Sequence, residues 1–132
     1  MKIKTLGTVF VLAFLLNLLW ENLHSYLYTH YQSGAITETI LIRAALFDAA
    51  VIFVLAFGVI LTPAFRGKFW LAIGLSFVIA MALERYALAV NRWAYAETMP
   101  IIPIFGTGLT PTIQLALTLW IIFKVVRIKQ VT

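Results

Sequence analysis

At 132 residues the chain has room for one domain, and its composition rules out an ordinary soluble one. Hydrophobic residues make up 63% and charged residues 11%, against roughly 25% charged in a typical soluble domain, so polar surface is too scarce to coat a soluble core. The net charge of +5 does not signal nucleic acid, because the lysines and arginines punctuate apolar runs instead of forming a basic stripe with interleaved aromatics.

Mean hydropathy of +0.99 points to an integral membrane protein. Four continuously apolar runs predict helices at 6–28, 37–62, 69–90 and 107–126, each near the roughly 20 residues that cross hydrocarbon. The runs lack the period-two alternation of a transmembrane barrel, so strands are not expected in them. Lys2 and Lys4 ahead of the first run imitate a signal peptide. The small residues Ser33-Gly34-Ala35 lie too far beyond its apolar core for cleavage, however, and an uncleaved first span is expected. Gly34 marks the first loop, Pro63 and Gly67 the second. The third loop, 91–106, is apolar and holds Pro100, Pro103 and Gly106. It reads equally as an interfacial aromatic belt carrying Trp93, Tyr95 and Phe105, or as a partly re-entrant lid. The expected architecture is all-α, a four-transmembrane-helix up-and-down bundle.

Lysine and arginine set its orientation. Lys2, Lys4, Arg66, Lys68, Lys124, Arg127 and Lys129, seven of the ten basic residues, fall on one side, so the positive-inside rule predicts cytoplasmic termini in the cell (inner) membrane. All five acids, Glu21, Glu38, Asp48, Glu84 and Glu97, fall in the outer half with Arg43, Arg85 and Arg92. At a helix rise of about 1.5 Å per residue, Glu21, Arg43, Glu84 and Gln114 lie about 9–10 Å deep, one per helix, and Asn17 and Asp48 about 16 Å deep. An ionised group facing lipid there costs at least ~2.5–3.5 kcal/mol, so the layer should face inward and pair.

On the first helix Asn17, Glu21, His24 and Tyr28 share a face, and on the third Glu84, Asn91 and Tyr95 share one through the helix end. Arg43 is expected to pair with Glu21 or Glu84. Three acids then exceed the buried cations, so one should be protonated or neutralised by a ligand or metal. Glu21-Asn22-Leu23-His24 is a Glu-x-x-His step, but Glu84 is followed at that spacing by Ala87, which argues against a di-metal centre. A single metal held by Glu21, His24 and a carboxylate from Asp48 or Glu84 is a minor reading, and no cofactor is expected.

Trp20-Glu21 with Leu27-Tyr28, Ala45-Leu-Phe-Asp48-Ala, Glu84 with Arg92-Trp93-Ala-Tyr95 and Met99-Pro100, and Gly108-Leu-Thr-Pro111 with Gln114 occur in order along the chain. This series resembles a group of small multi-span bacterial membrane proteins without an assigned reaction. The resemblance implies that the polar layer is a shared signature and names no chemistry. Three functions remain open. The first is binding or acid-catalysed modification of a lipid or isoprenoid. Glu84 or Asp48 would be the acid, Glu21 with His24 its partner and Arg43 the charge that decides which carboxyl keeps the proton. Tyr28, Trp93 and Tyr95 would line the mouth, near Asn91, with Asn17 and Gln114 inside. The second is an accessory subunit of a larger membrane complex, its polar layer only structural. The third is a small dimeric proton- or cation-coupled transporter.

Overall fold

The computed structural model describes residues 2–126, so Arg127 and Lys129 lie outside the described residues. Four helices are long and apolar enough to span a membrane: α1 (Lys2–His24), α2 (Glu38–Leu61), α3 (Phe69–Ala89) and α4 (Leu109–Val126). They form an up-and-down bundle in which α1 packs on α2 and α4, and α3 on α4. α2 and α3 meet least closely of the neighbouring pairs.

Small residues set how near the helices come. Ala45, Ala49, Ile52 and Ala56 form the buried stripe of α2, and Ala72, Ser76, Ala80 and Glu84 that of α3. Spacings of three and four residues hold such positions on one helix face, and alanine lets backbones approach where lipid offers no hydrophobic drive. The α3 stripe carries Glu84 into the bundle by the same four-residue step.

Two short antiparallel pairs cap one end of the bundle, and the sequence reading did not anticipate them. β1 (Tyr28–Tyr31) pairs with β2 (Trp93–Tyr95), and β3 (Ile101–Ile102) with β4 (Thr107–Gly108). The first helix therefore ends at His24, short of the expected residue 28, and a single 3-10 turn (Ser25–Leu27) leads into β1. β1 reverses through Gln32 (φ 49°) and Ser33 (φ 64°), with Tyr31 and Gly34 exchanging backbone hydrogen bonds of 3.0 and 2.9 Å. Positive φ at both central residues is the two-residue turn whose twist matches antiparallel strands.

α3 ends at Ala89, one residue short of the expected limit, so the helical face expected to carry Glu84, Asn91 and Tyr95 does not reach the last two. Asn91 takes a left-handed conformation (φ 56°), its N–H bonds to the Leu88 carbonyl at 3.2 Å, and the Arg92 N–H bonds to the Ala87 carbonyl at 2.8 Å. That pair of bonds closes the last helical turn, and asparagine tolerates the conformation better than most residues. Asn91 is exposed and stops the helix, and its side chain is not among those that line the cavity described below.

At the other boundaries, Thr37 caps α2 by accepting the Ile40 N–H at 3.4 Å, with Glu38 in the first turn where the helix dipole favours an acid. Pro111 occupies the first turn of α4, where its missing N–H has no helical partner to lose.

A carboxylate-lined cavity beneath the strand cap

The side chains expected to form the polar layer gather into two clusters. Gln114 of α4 centres the first. Its Nε2 donates to Asn17 Oδ1 at 2.9 Å, Glu21 Oε1 at 2.8 Å and Asp48 Oδ2 at 2.9 Å, so one amide ties α1, α2 and α4 together. Asn17 is fully buried and its own amide donates to the Ala13 carbonyl at 2.7 Å. His24 contacts Glu21 Oε2 through Nε2 at 3.2 Å and Thr110 Oγ1 through Nδ1 at 3.0 Å. Asp48 and Glu21 also lie within hydrogen-bonding reach of each other.

Glu84 centres the second cluster. The Tyr95 hydroxyl donates to its Oε2 at 2.6 Å and the Trp93 indole N–H at 3.2 Å, while the Tyr28 hydroxyl sits 3.4 Å from both oxygens. The strand cap makes this convergence. Trp93 and Tyr95 are two apart on β2 and so share a face. Tyr95 lies opposite Tyr28 and Trp93 opposite Tyr31, three apart on β1, and the bulge between Tyr28 and His30 absorbs the extra residue. Tyr28 also meets the His24 ring edge-on at a centroid distance of 5.4 Å, which joins the two clusters.

Gly108 fixes the far side of the second cluster. Its N–H donates to the Tyr95 hydroxyl at 2.9 Å, and a Cβ there would lie 2.7 Å from Met99 Sδ and 3.1 Å from Pro111 Cδ. Burial raises the Tyr28 and Tyr95 phenol pKa values above the ordinary 10.0, and the adjoining Glu84 carboxylate pushes them further. Both therefore act as donors at neutral pH. A phenol whose folded pKa is raised stabilises the fold fully below its unfolded pKa, and that contribution is lost as pH rises. Stability in detergent should thus fall as pH climbs through about 10 and beyond. The fall should flatten in the Tyr28→Phe/Tyr95→Phe double variant, as followed by thermal unfolding; an unchanged fall would refute the assignment.

Arg43 corrects a second expectation. It is exposed, and among the described residues it has no ion-pair or hydrogen-bond partner, whereas Glu21 and Glu84 take their donors from His24, Gln114 and the cap. The reason is reach: the cap's aromatic donors come down onto Glu84 from the loop, a direction that helix spacing could not reveal. The expected clustering of Asn17, Glu21, His24, Tyr28, Asp48, Glu84, Trp93, Tyr95 and Gln114 is present. Thr110 and Met99 were missed as site residues, although both lie in motifs noted from the sequence; the Thr110 hydroxyl is 3.6 Å from Met99 Sδ.

Between α2 and α3, over both clusters, lies a cavity of about 460 Å³. Glu21, Asp48, Glu84 and Gln114 contribute its polar wall, and Leu41, Phe47, Ala80, Leu83 and Leu115 its apolar one. Phe47 and Tyr86 line it from α2 and α3 and are 53% and 60% exposed, so the cavity reaches the flank of the bundle where these two helices part. Its volume falls within the usual range for a small-molecule site, and a few convergent polar groups in an apolar wall are typical of one. No group of three or more His, Asp or Glu side chains is arranged to hold a metal among the described residues.

The fold and site together define a four-helix bundle of membrane-spanning proportions with a carboxylate-lined cavity under a β-stranded cap. No family model, no curated protein and no solved structure matches the chain.

Proposed function

We propose that this chain is a multi-pass protein of the cell (inner) membrane that binds, or modifies by acid catalysis, a lipid or isoprenoid in the outer half of the bilayer. The observation that carries the reading is the cavity, which combines an apolar wall with one buried and two half-buried carboxyls and reaches the bundle flank between Phe47 and Tyr86. In a membrane that flank faces hydrocarbon, so a ligand already dissolved there enters without crossing water.

The Glu21–Asp48 pair is the preferred acid. Gln114 Nε2 carries two hydrogens but faces three oxygens, so this cluster is short of donors, and two adjoining carboxyls are held together best around one shared proton. Glu84 already accepts three donors and suits a fixed negative charge, which stabilises a cationic intermediate formed when a carbon–carbon double bond is protonated. The completeness of that donor set is also what favours the second reading, a structural or accessory subunit. Against a transporter stands the apolar core on the other side of Asp48, where Val9, Ile52, Leu119 and Ile122 pack, and where Ser76 and Thr118 return their hydroxyls to their own helices.

The test is mass spectrometry of protein purified in mild detergent. A lipid or isoprenoid retained in stoichiometric amount supports the proposal, and a lipid-free core favours the structural reading. Both termini are assigned to the cytoplasm, because Lys2, Lys4, Arg66, Lys68 and Lys124 gather at the end opposite the acids. A periplasm-active reporter fused to the C-terminal end should be silent; strong activity would reverse the orientation and place the cavity in the inner leaflet.

A further inference from the structure

Resting on the lipid-cavity reading, we propose that the ligand is a lipid with an anionic headgroup, a phosphate or chemically similar group, held at the cavity rim by Arg43 and Arg92. Both arginines line the cavity and both are exposed. Neither guanidinium has a hydrogen-bond or ion-pair partner among the described residues. The acids below do not need them: Glu84 is served by Tyr28, Trp93 and Tyr95, and Glu21 by His24 and Gln114. The cavity is therefore divided by charge: Glu84 is held by its three donors from the cap, Glu21 and Asp48 lie inside around Gln114, and two unassigned cations stand at the rim.

The fold holds the two cations in place. Arg43 lies in the second turn of the capped helix α2, beside the apolar cavity residues Ile40 and Phe47. Arg92 directly follows the left-handed Asn91, and its backbone is fixed at both ends, the N–H on the Ala87 carbonyl and the carbonyl on the Gln32 N–H at 2.6 Å. A planar guanidinium suits a phosphate or carboxylate in a forked arrangement, and a charge set among apolar groups at the membrane boundary gains most from a partner. The chain of such a lipid would then run along Phe47, Leu41 and Ala80 toward the carboxyls.

Arg85 supplies the control. It carries the same charge at the same end of the bundle but lies outside this cavity, donating to the Phe105 carbonyl at 3.3 Å. The experiment uses the full chain in nanodiscs of phosphatidylcholine, titrated with dodecyl phosphate, dodecanol, dodecyltrimethylammonium or inorganic phosphate. Tryptophan emission is the readout, because Trp93 lines the cavity.

Dodecyl phosphate should bind saturably and at least about tenfold more tightly than dodecanol. Arg43→Gln and Arg92→Gln should each weaken it about tenfold, the scale of one charge-assisted hydrogen bond, and Arg85→Gln should not. Equal affinity for dodecanol and dodecyl phosphate, indifferent to the arginine variants, would overturn the headgroup assignment while leaving the lipid cavity intact. Inorganic phosphate binding as tightly as dodecyl phosphate would show a free-anion site and overturn the lipid source. Tightest binding of the trimethylammonium compound would mean that the carboxyls select the ligand, and would also overturn the proposal. If no amphiphile binds, the lipid-cavity reading fails and this inference fails with it.

Discussion

Gln114→Leu is expected to cost about 2–4 kcal/mol of stability in detergent, because it removes one donor group from one buried and two half-buried acceptors at once. Asn17, Glu21 and Asp48 each lie within 2.9 Å of Gln114 Nε2, and they come from two other helices. Interhelical hydrogen bonds in lipid average only about 0.6 kcal/mol, since the separated helices find other partners. That average describes single interhelical bonds, whereas here one amide serves three acceptors on two other helices, and leucine would leave all three without it, so the larger figure wins. Thermal or denaturant unfolding of the purified variant gives the answer, and a loss under about 0.5 kcal/mol would show that the amide does not hold the layer together.

Asp48→Asn should leave folding nearly unchanged while abolishing function. The asparagine carbonyl still accepts from Gln114, and its new N–H₂ can donate to the adjoining Glu21 carboxyl, so the donor shortage around Gln114 is relieved. What the amide cannot do is give up a proton. A complementation assay that finds full function in Asp48→Asn would remove the basis for acid chemistry at this pair. Glu84→Gln is expected to abolish function too, but the structure makes it the less tidy variant. Trp93 Nε1–H and the Tyr95 hydroxyl both point at Glu84 Oε2, a place the glutamine carbonyl can take with its N–H₂ toward the Tyr28 hydroxyl, but a neutral amide oxygen accepts these bonds more weakly than a carboxylate. A moderate loss of stability is therefore expected for Glu84→Gln and none for Asp48→Asn, a difference that separates the two clusters experimentally.

Four apolar helices, their approximate limits and a polar layer at one end were all legible in the amino-acid order. Those features follow from local rules. A run of about 20 apolar residues reports its own length, and a helix places residues three and four apart on one face whatever surrounds it. Asn17, Glu21 and His24 on one face of α1 were legible for that reason. Gln114 could be matched to Glu21 in height because antiparallel helices share one rise per residue.

Which polar group meets which depended on how the chain packs in three dimensions. Helix spacing puts Glu84, Asn91 and Tyr95 on one face, but the left-handed turn at Asn91 sends Tyr95 back over Glu84 on a strand. A single φ angle made that choice, and no periodicity encodes it. The pairing of β1 with β2 joins residues more than sixty positions apart, and the three-for-two bulge at Thr29 aligns Tyr28 and Tyr31 with Tyr95 and Trp93. Neither short strand carries a long enough pattern to announce itself. Once those aromatics satisfied Glu84, the expected partner Arg43 was left at the rim. Charge balance in a sequence counts the ions, but hydrogen-bond geometry in three dimensions assigns them, because a buried carboxylate is satisfied by any well-aimed N–H or O–H as well as by a cation.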